Sequence, residues 1–143
     1  MIRLAIGAMV LGLIASGCSS PSDSAPAVTP TGDSVSLIIP DQDSDYFRAI
    51  RLGALDAARD QGLNMSIPEA ASTTSEQISA VTEAIGRGDV GIAIAPVGAD
   101  VDAALSAARN AGLKVVEVGG TGIEMSNADF TVRTDDCLLG MAA

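Results

Sequence analysis

From Asp33 onward the chain changes the period of its apolar positions block by block. Val35-Ser36-Leu37-Ile38-Ile39 is a short, nearly continuous apolar run closed by Pro40, which predicts a buried strand. Phe47, Ile50, Ala54, Leu55 and Ala58 follow at helical spacing on one face, and Gly62 supplies a helix stop before a second strand over Leu63–Ile67. Thr73-Thr74-Ser75-Glu76 is a capping-box pattern, opening a helix whose predicted buried stripe is Ile78, Val81 and Ile85 and whose end is Gly86-Arg87-Gly88. Val90 to Ala95 is apolar without alternation, as expected of a central parallel strand covered on both faces, and Pro96 stops it. Val101, Ala104, Leu105 and Ala108 make a third helical stripe closed by Gly112. Lys114–Val118 reads as a fourth strand, turned away by Gly119-Gly120-Thr121-Gly122. A short strand near Phe130–Arg133, with Phe130 expected in the core, leads to Thr134-Asp135-Asp136, whose side chains suit the start of a helix carrying Leu138, Leu139 and Met141.

Strands alternating with helices over short connections predict an α/β domain, a doubly wound parallel sheet. Ligands of such sheets sit beyond the carboxyl ends of the strands. The loops there begin at Pro40, Pro68, Pro96 and Gly119, and a functional site is expected among them.

The first eighteen residues follow a different logic. Met1-Ile2-Arg3 precedes an apolar run from Leu4 to Ile14, then Ala15-Ser16-Gly17-Cys18. The run is well short of the roughly 20 residues that span a bilayer, so it reads as an export segment over residues 1–17. Small residues before a cysteine resemble a lipobox, which implies acylation of the Cys18 thiol. A short buried helix, or a plain signal peptide beside an incidental cysteine, shares the apolar run; the order of charge, run, small residues and cysteine favours the lipoprotein. Residues 18–32 are then the lipidated cysteine and a flexible tether rich in Ser and Pro, which cannot bury enough surface to order itself.

Charge and residue types narrow the chemistry. The chain carries 8 basic and 18 acidic residues, a net charge of −10, and removal of Arg3 with the signal makes it −11. That disfavours nucleic acid or anionic lipid as partners. There is no histidine, so imidazole-dependent triads and His-ligated zinc are excluded within these residues. With Cys18 acylated, Cys137 has no cysteine to pair with and reads as a small packing residue. No phosphate-loop motif is present. Neither catalysis nor a cofactor is expected.

Three segments, SLIIPDQDSDYFRAIRLGALDAARDQG, SEQISAVTEAIGRGDVGIAIAPVGAD and TDDCLLGMAA, together resemble the periplasmic binding proteins of the ribose-binding type, the substrate-binding components of ABC importers. The resemblance covers residues 33–143 and implies part of the N-terminal lobe of a two-lobed binder. Family members close both lobes around a small ligand, usually a sugar, so a chain with one wall is expected to be a fragment with poor affinity of its own.

The resemblance also places binding positions. Where the family carries an Asn, a Pro and stacking aromatics after the first strand, this chain has Ser44, Asp45, Tyr46 and Phe47. Tyr46 is the aromatic expected to stack on ligand, while Phe47 is open between ligand contact and the helix core. The family's polar residue before the proline of the third strand is Ala95 here, and its Asp-Arg pair after the fourth strand is Gly119-Gly120. Loss of that pair argues against a simple monosaccharide and for a bulkier ligand or one held mostly by the other lobe. Thr134 and Asp135 align with the family's polar pair near the second crossing; Asp135 either accepts from ligand or caps the following helix.

The expected function is a lipid-anchored solute-binding component that hands a small, sugar-like polar solute to an ABC permease. The alternative is a sensory lipoprotein that presents its ligand to a membrane receptor. Either sits in the cell envelope, on the outer face of the cytoplasmic membrane or on the periplasmic side of a membrane in a two-membrane cell.

Overall fold

The computed structural model describes residues 32–68, 71–119 and 127–133. Its strands are β1 (Ser34–Ile38), β2 (Asn64–Ser66), β3 (Gly91–Ile94), β4 (Lys114–Val118) and β5 (Phe130–Val132). The helices are α1 (Asp45–Gln61), α2 (Thr74–Arg87) and α3 (Asp102–Asn110), the last entered through a 3₁₀ turn over Ala99–Val101. The strands form one parallel sheet in the order β2-β1-β3-β4-β5. The predicted doubly wound α/β architecture is therefore present.

Because side chains alternate across a strand, the central strands feed two cores. Leu37, Ile39 and Ala95 face α1 and meet Phe47, Ile50 and Ala54. Ile38, Ile92, Ile94 and Val115 face the other way, against Val81 and Ala84 of α2 and Leu105 and Ala108 of α3. Each large aliphatic side chain removed from water there contributes about 1.5–3 kcal/mol before entropy is counted, which makes the α2–α3 side the larger store of stability. The unbroken apolar character of β3 follows from serving both.

Each helix returns to the sheet by the same device at its C-terminus. Gly62, Gly88 and Gly112 all have left-handed φ (67°, 75° and 95°). The N–H of the next residue in each case bonds a carbonyl one turn back, Leu63 to Ala58, Asp89 to Ala84 and Leu113 to Ala108. Glycine adopts this conformation without the Cβ penalty.

Two expectations about packing are corrected. Of the predicted α2 stripe Val81 is buried and Ile85 packs partly buried against the core, but Ile78 is 36% exposed, and Gln77, Ala80 and Ala84 are the other buried positions. The cause is Gln77, whose side-chain amide must point inward to meet the turn after β3. Phe130 is 67% exposed, not core, because β5 is a three-residue edge strand. The expected signal segment and tether, residues 120–126 and the segment from Thr134, with the helix expected there, lie outside the described residues.

Candidate functional site

In the order β2-β1-β3-β4-β5 the chain winds outward in both directions from β1 and β3, so the crevice lies where their loops part. The loop after β1 is held from inside. Asp41 Oδ1 accepts from the N–H groups of Asp43 (2.8 Å) and Ser44 (3.3 Å), an Asx-type turn that aims the chain into α1. Gln42 donates from Nε2 to the Pro68 carbonyl at 2.7 Å, tying this loop to the one after β2. Ser44 is the N-cap of α1, its Oγ accepting from Phe47 N–H at 3.3 Å. Asp45 contacts the Arg48 guanidinium one turn along.

The loop after β3 is fixed by one side chain. Gln77 is fully buried; its Nε2 donates to the Ala95 carbonyl at 2.8 Å and its Oε1 accepts from Val97 N–H at 3.0 Å. A glutamine carries both a donor and an acceptor on one planar group, so it satisfies two backbone groups around Pro96 at once. Sequence reading missed it because a polar residue inside a helix looks solvent-facing; the only signal was its place one turn into a helix that packs behind a proline-stopped strand.

Tyr46 and Phe47 diverge from the first turn of α1, ring centroids 5.0 Å apart and planes at 73°. Phe47, partly buried, packs against the Leu37–Ile39–Ala95 cluster. Tyr46 stays 45% exposed and reaches across to the end of β4, where a Cβ placed on Gly119 would lie 3.1 Å from its hydroxyl oxygen. Gly119 is itself buried, has φ of 94°, and donates its N–H to the Val132 carbonyl at 2.9 Å. Tyr46 and Gly119 thus bring the loops after β1 and β4 together. Ser44 lies two residues from Tyr46; Thr134 and Asp135 fall outside the described residues, as do Cys18 and Cys137.

Glu117 adds a buried carboxylate near the same end of β4, on the face toward α3. It accepts from Thr131 Oγ1 at 3.4 Å and stands 3.7 Å from the Arg133 guanidinium. Two surface hollows lie elsewhere: one of about 370 Å³ beside Arg109, Lys114 and Asp129 at the amino end of β4, and one of about 430 Å³ between Pro68 and the outer side of α2. Neither borders Tyr46 or Gly119. Among the described residues no group of three or more His, Cys, Asp or Glu side chains converges to hold a metal, and no helix is long and apolar enough to cross a membrane.

Solved structures share this fold. A galactofuranose-binding protein superposes with a TM-score of 0.67 at 25% identity, over 76% of this chain and 38% of its own. A myo-inositol-binding protein of Caulobacter gives 0.65 at 24% identity, over 76% and 37%. LsrB of Clostridium saccharobutylicum, solved in complex with AI-2, gives 0.63 at 23% identity, over 71% and 31%. The fold is that of the sugar-type periplasmic binding proteins. This chain spans between about a third and two fifths of the length of those periplasmic binding proteins. No family model matches the sequence, and no curated protein matches it by sequence.

Proposed function

We propose that the chain is the N-terminal lobe of a lipid-anchored, sugar-binding component of an ABC importer, contributing one wall of the ligand cleft and no chemistry of its own. The observation that carries this reading is Tyr46, an aromatic ring left half-exposed at the carboxyl end of a parallel sheet whose fold is shared with binders of galactofuranose, inositol and AI-2. A phenol offers a flat apolar face to sugar C–H groups and a hydroxyl to their oxygens. Ser44, two residues before it, has a hydroxyl whose oxygen accepts from Phe47 N–H to cap α1 and whose O–H is a donor a ligand oxygen can take. Thr134 and Asp135 are proposed to complete the polar side of the cleft, and lobe closure over the ligand supplies the transport-competent form. Cys18 is proposed as the lipidated residue, with residues 18–32 as the tether that holds the lobe clear of the membrane.

Two measurements test the reading. Saturation-transfer NMR of the full chain against a panel of neutral sugars and polyols is expected to give contacts that Tyr46→Ala removes; a panel without any response counts against the ligand class. Cys18→Ser is expected to shift the protein from the membrane fraction to the soluble one and to abolish the mass added by acylation.

A further inference from the structure

We infer that Tyr46 and Gly119 form one specificity-determining unit, in which the missing side chain at 119 lets the phenol lie across the end of β4 and makes a neutral hydroxyl the polar group offered there. The inference deepens the sugar-binding reading and rests on it. Its ligand class is neutral and polyhydroxylated, with a C–H face to stack on the ring.

Three observations carry it. A Cβ on Gly119 would come within 3.1 Å of the Tyr46 hydroxyl oxygen and within 4.0 Å of two of its ring carbons, so the ring occupies the volume a side chain would need. The backbone of Gly119 is locked, its N–H bonded to Val132 and its φ left-handed, so residue 119 cannot swing aside to make room. The described acidic groups nearest in sequence to the ring are all exposed, Asp41 and Asp43 in the loop that delivers it and Asp45 at the start of α1, where it pairs with Arg48. Three carboxylates against the one guanidinium of Arg48 leave this stretch net acidic, which disfavours an anionic ligand relative to a neutral polyol.

The chain contains one tyrosine and no tryptophan, so its ultraviolet fluorescence reports on Tyr46 directly. Gly112 provides the control for backbone strain: its φ of 95° matches that of Gly119, yet a Cβ there meets nothing within 4 Å. In the full chain in detergent, Gly119→Ala is expected to raise acrylamide quenching of the tyrosine toward that of free tyrosine, while Gly112→Ala leaves it unchanged. Saturation transfer to myo-inositol should fall about fivefold in Gly119→Ala, the loss expected when one stacked aromatic contact of about 1 kcal/mol is displaced. D-gluconate should give no transfer in either protein.

Should Gly119→Ala fold poorly, the coupling is still read from melting temperatures. Gly119→Ala should cost more than Gly112→Ala when Tyr46 is present and the same when Tyr46 is Ala. Equal quenching and equal melting loss for the two alanine variants would overturn the unit, as would binding of D-gluconate as strong as that of myo-inositol. A tyrosine released by Gly119→Ala in a protein that answers no neutral sugar or polyol would instead overturn the sugar reading and with it the specificity role, leaving a packing contact.

Discussion

The two ends of the sheet are closed largely by different means. At the amino ends of the strands the connections are backbone devices, the left-handed glycines 62, 88 and 112, backed by a buried polar network. There Arg87 donates to Ser36 Oγ at 2.7 Å, Ser36 Oγ donates to Asp89 Oδ2 at 2.6 Å, and Arg87 reaches the same Asp89 oxygen at 3.1 Å. At the carboxyl ends Gly119 after β4 is the one left-handed glycine among the described residues, and the other connections are side-chain devices: Ser44 and Thr73 capping helices, Gln77 clamping a turn, and Gln42 joining two loops. Backbone turns need only glycine, so that end can be tight and closed. Side-chain caps leave the loops free to differ in length and residue type, which is the freedom a ligand site requires. The protein concentrates its fixed geometry at one end and its adaptable chemistry at the other.

The sharpest way to break this contrast is to attack the closed end. Arg87→Ala leaves the buried Asp89 carboxylate with only the Ser36 hydroxyl, and is expected to destabilise the lobe by about 3–4 kcal/mol. Asp89→Ala removes the buried charge and leaves Arg87, partly exposed, to be hydrated, so it should cost less, about 2 kcal/mol. Urea unfolding of both variants checks the order. Asp89→Ala costing more than Arg87→Ala would mean that the network is organised around the arginine and that the closed end is wetter than its burial indicates.

At the open end the largest effect is expected from Gln77→Ala, about 2–3 kcal/mol, because it strands the Ala95 carbonyl and the Val97 N–H as well as leaving a gap. Gln77→Leu, which refills the volume but restores neither bond, should recover only part of the loss. Amide exchange at Val97 provides a local readout, with protection expected to fall in both. A smaller effect separates the two aromatics. Phe47→Ala should lower stability by about 2 kcal/mol, the cost of truncating a part-buried ring, whereas Tyr46→Ala should leave stability within about 0.5 kcal/mol and act on ligand contact. Equal melting losses would place both rings in the core and remove the functional contrast between them.

What could be read from the sequence was what is local. The capping box at Thr73, the glycine stops and the apolar run of β3 are each decided by residues within a few positions of one another, and the structure has them where the pattern put them. What depends on distant partners was not legible. Ile78 outranks Gln77 on any hydrophobicity scale, yet Gln77 faces inward because two backbone groups of another element require it. Phe130 has the composition of a core residue and an edge-strand position. The candidate site was legible as a set of loops, and Tyr46 within them, but its pairing with Gly119 joins two loops that no periodicity connects.

A loss smaller than those at Gln77 and Phe47 tests whether side-chain caps at the open end act as described. Thr73 Oγ1 accepts from Glu76 N–H at 3.2 Å, and Glu76 Oε2 accepts from Thr73 N–H at 2.8 Å. Thr73→Ala should cost about 1 kcal/mol through loss of the cap. Glu76 contributes a pH signature. Hydrogen bonding from the Thr73 backbone, then from the Thr73 and Ser72 side chains, outweighs desolvation and holds the Glu76 carboxyl below its ordinary value. A carboxyl with a lowered folded-state pKa adds stability that is complete above its unfolded value and disappears as the pH falls through the folded one. Glu76→Gln keeps an acceptor for Thr73 N–H but cannot titrate, so its stability relative to the parent should be lowest near neutral pH and should converge with the parent in acid. The measurement is the melting temperature of both proteins from neutral pH down to about pH 3, below the ordinary glutamate range. Parallel curves throughout would show that the reciprocal bond to the Thr73 backbone is absent in solution, and that α2 begins at the open end with only the threonine cap.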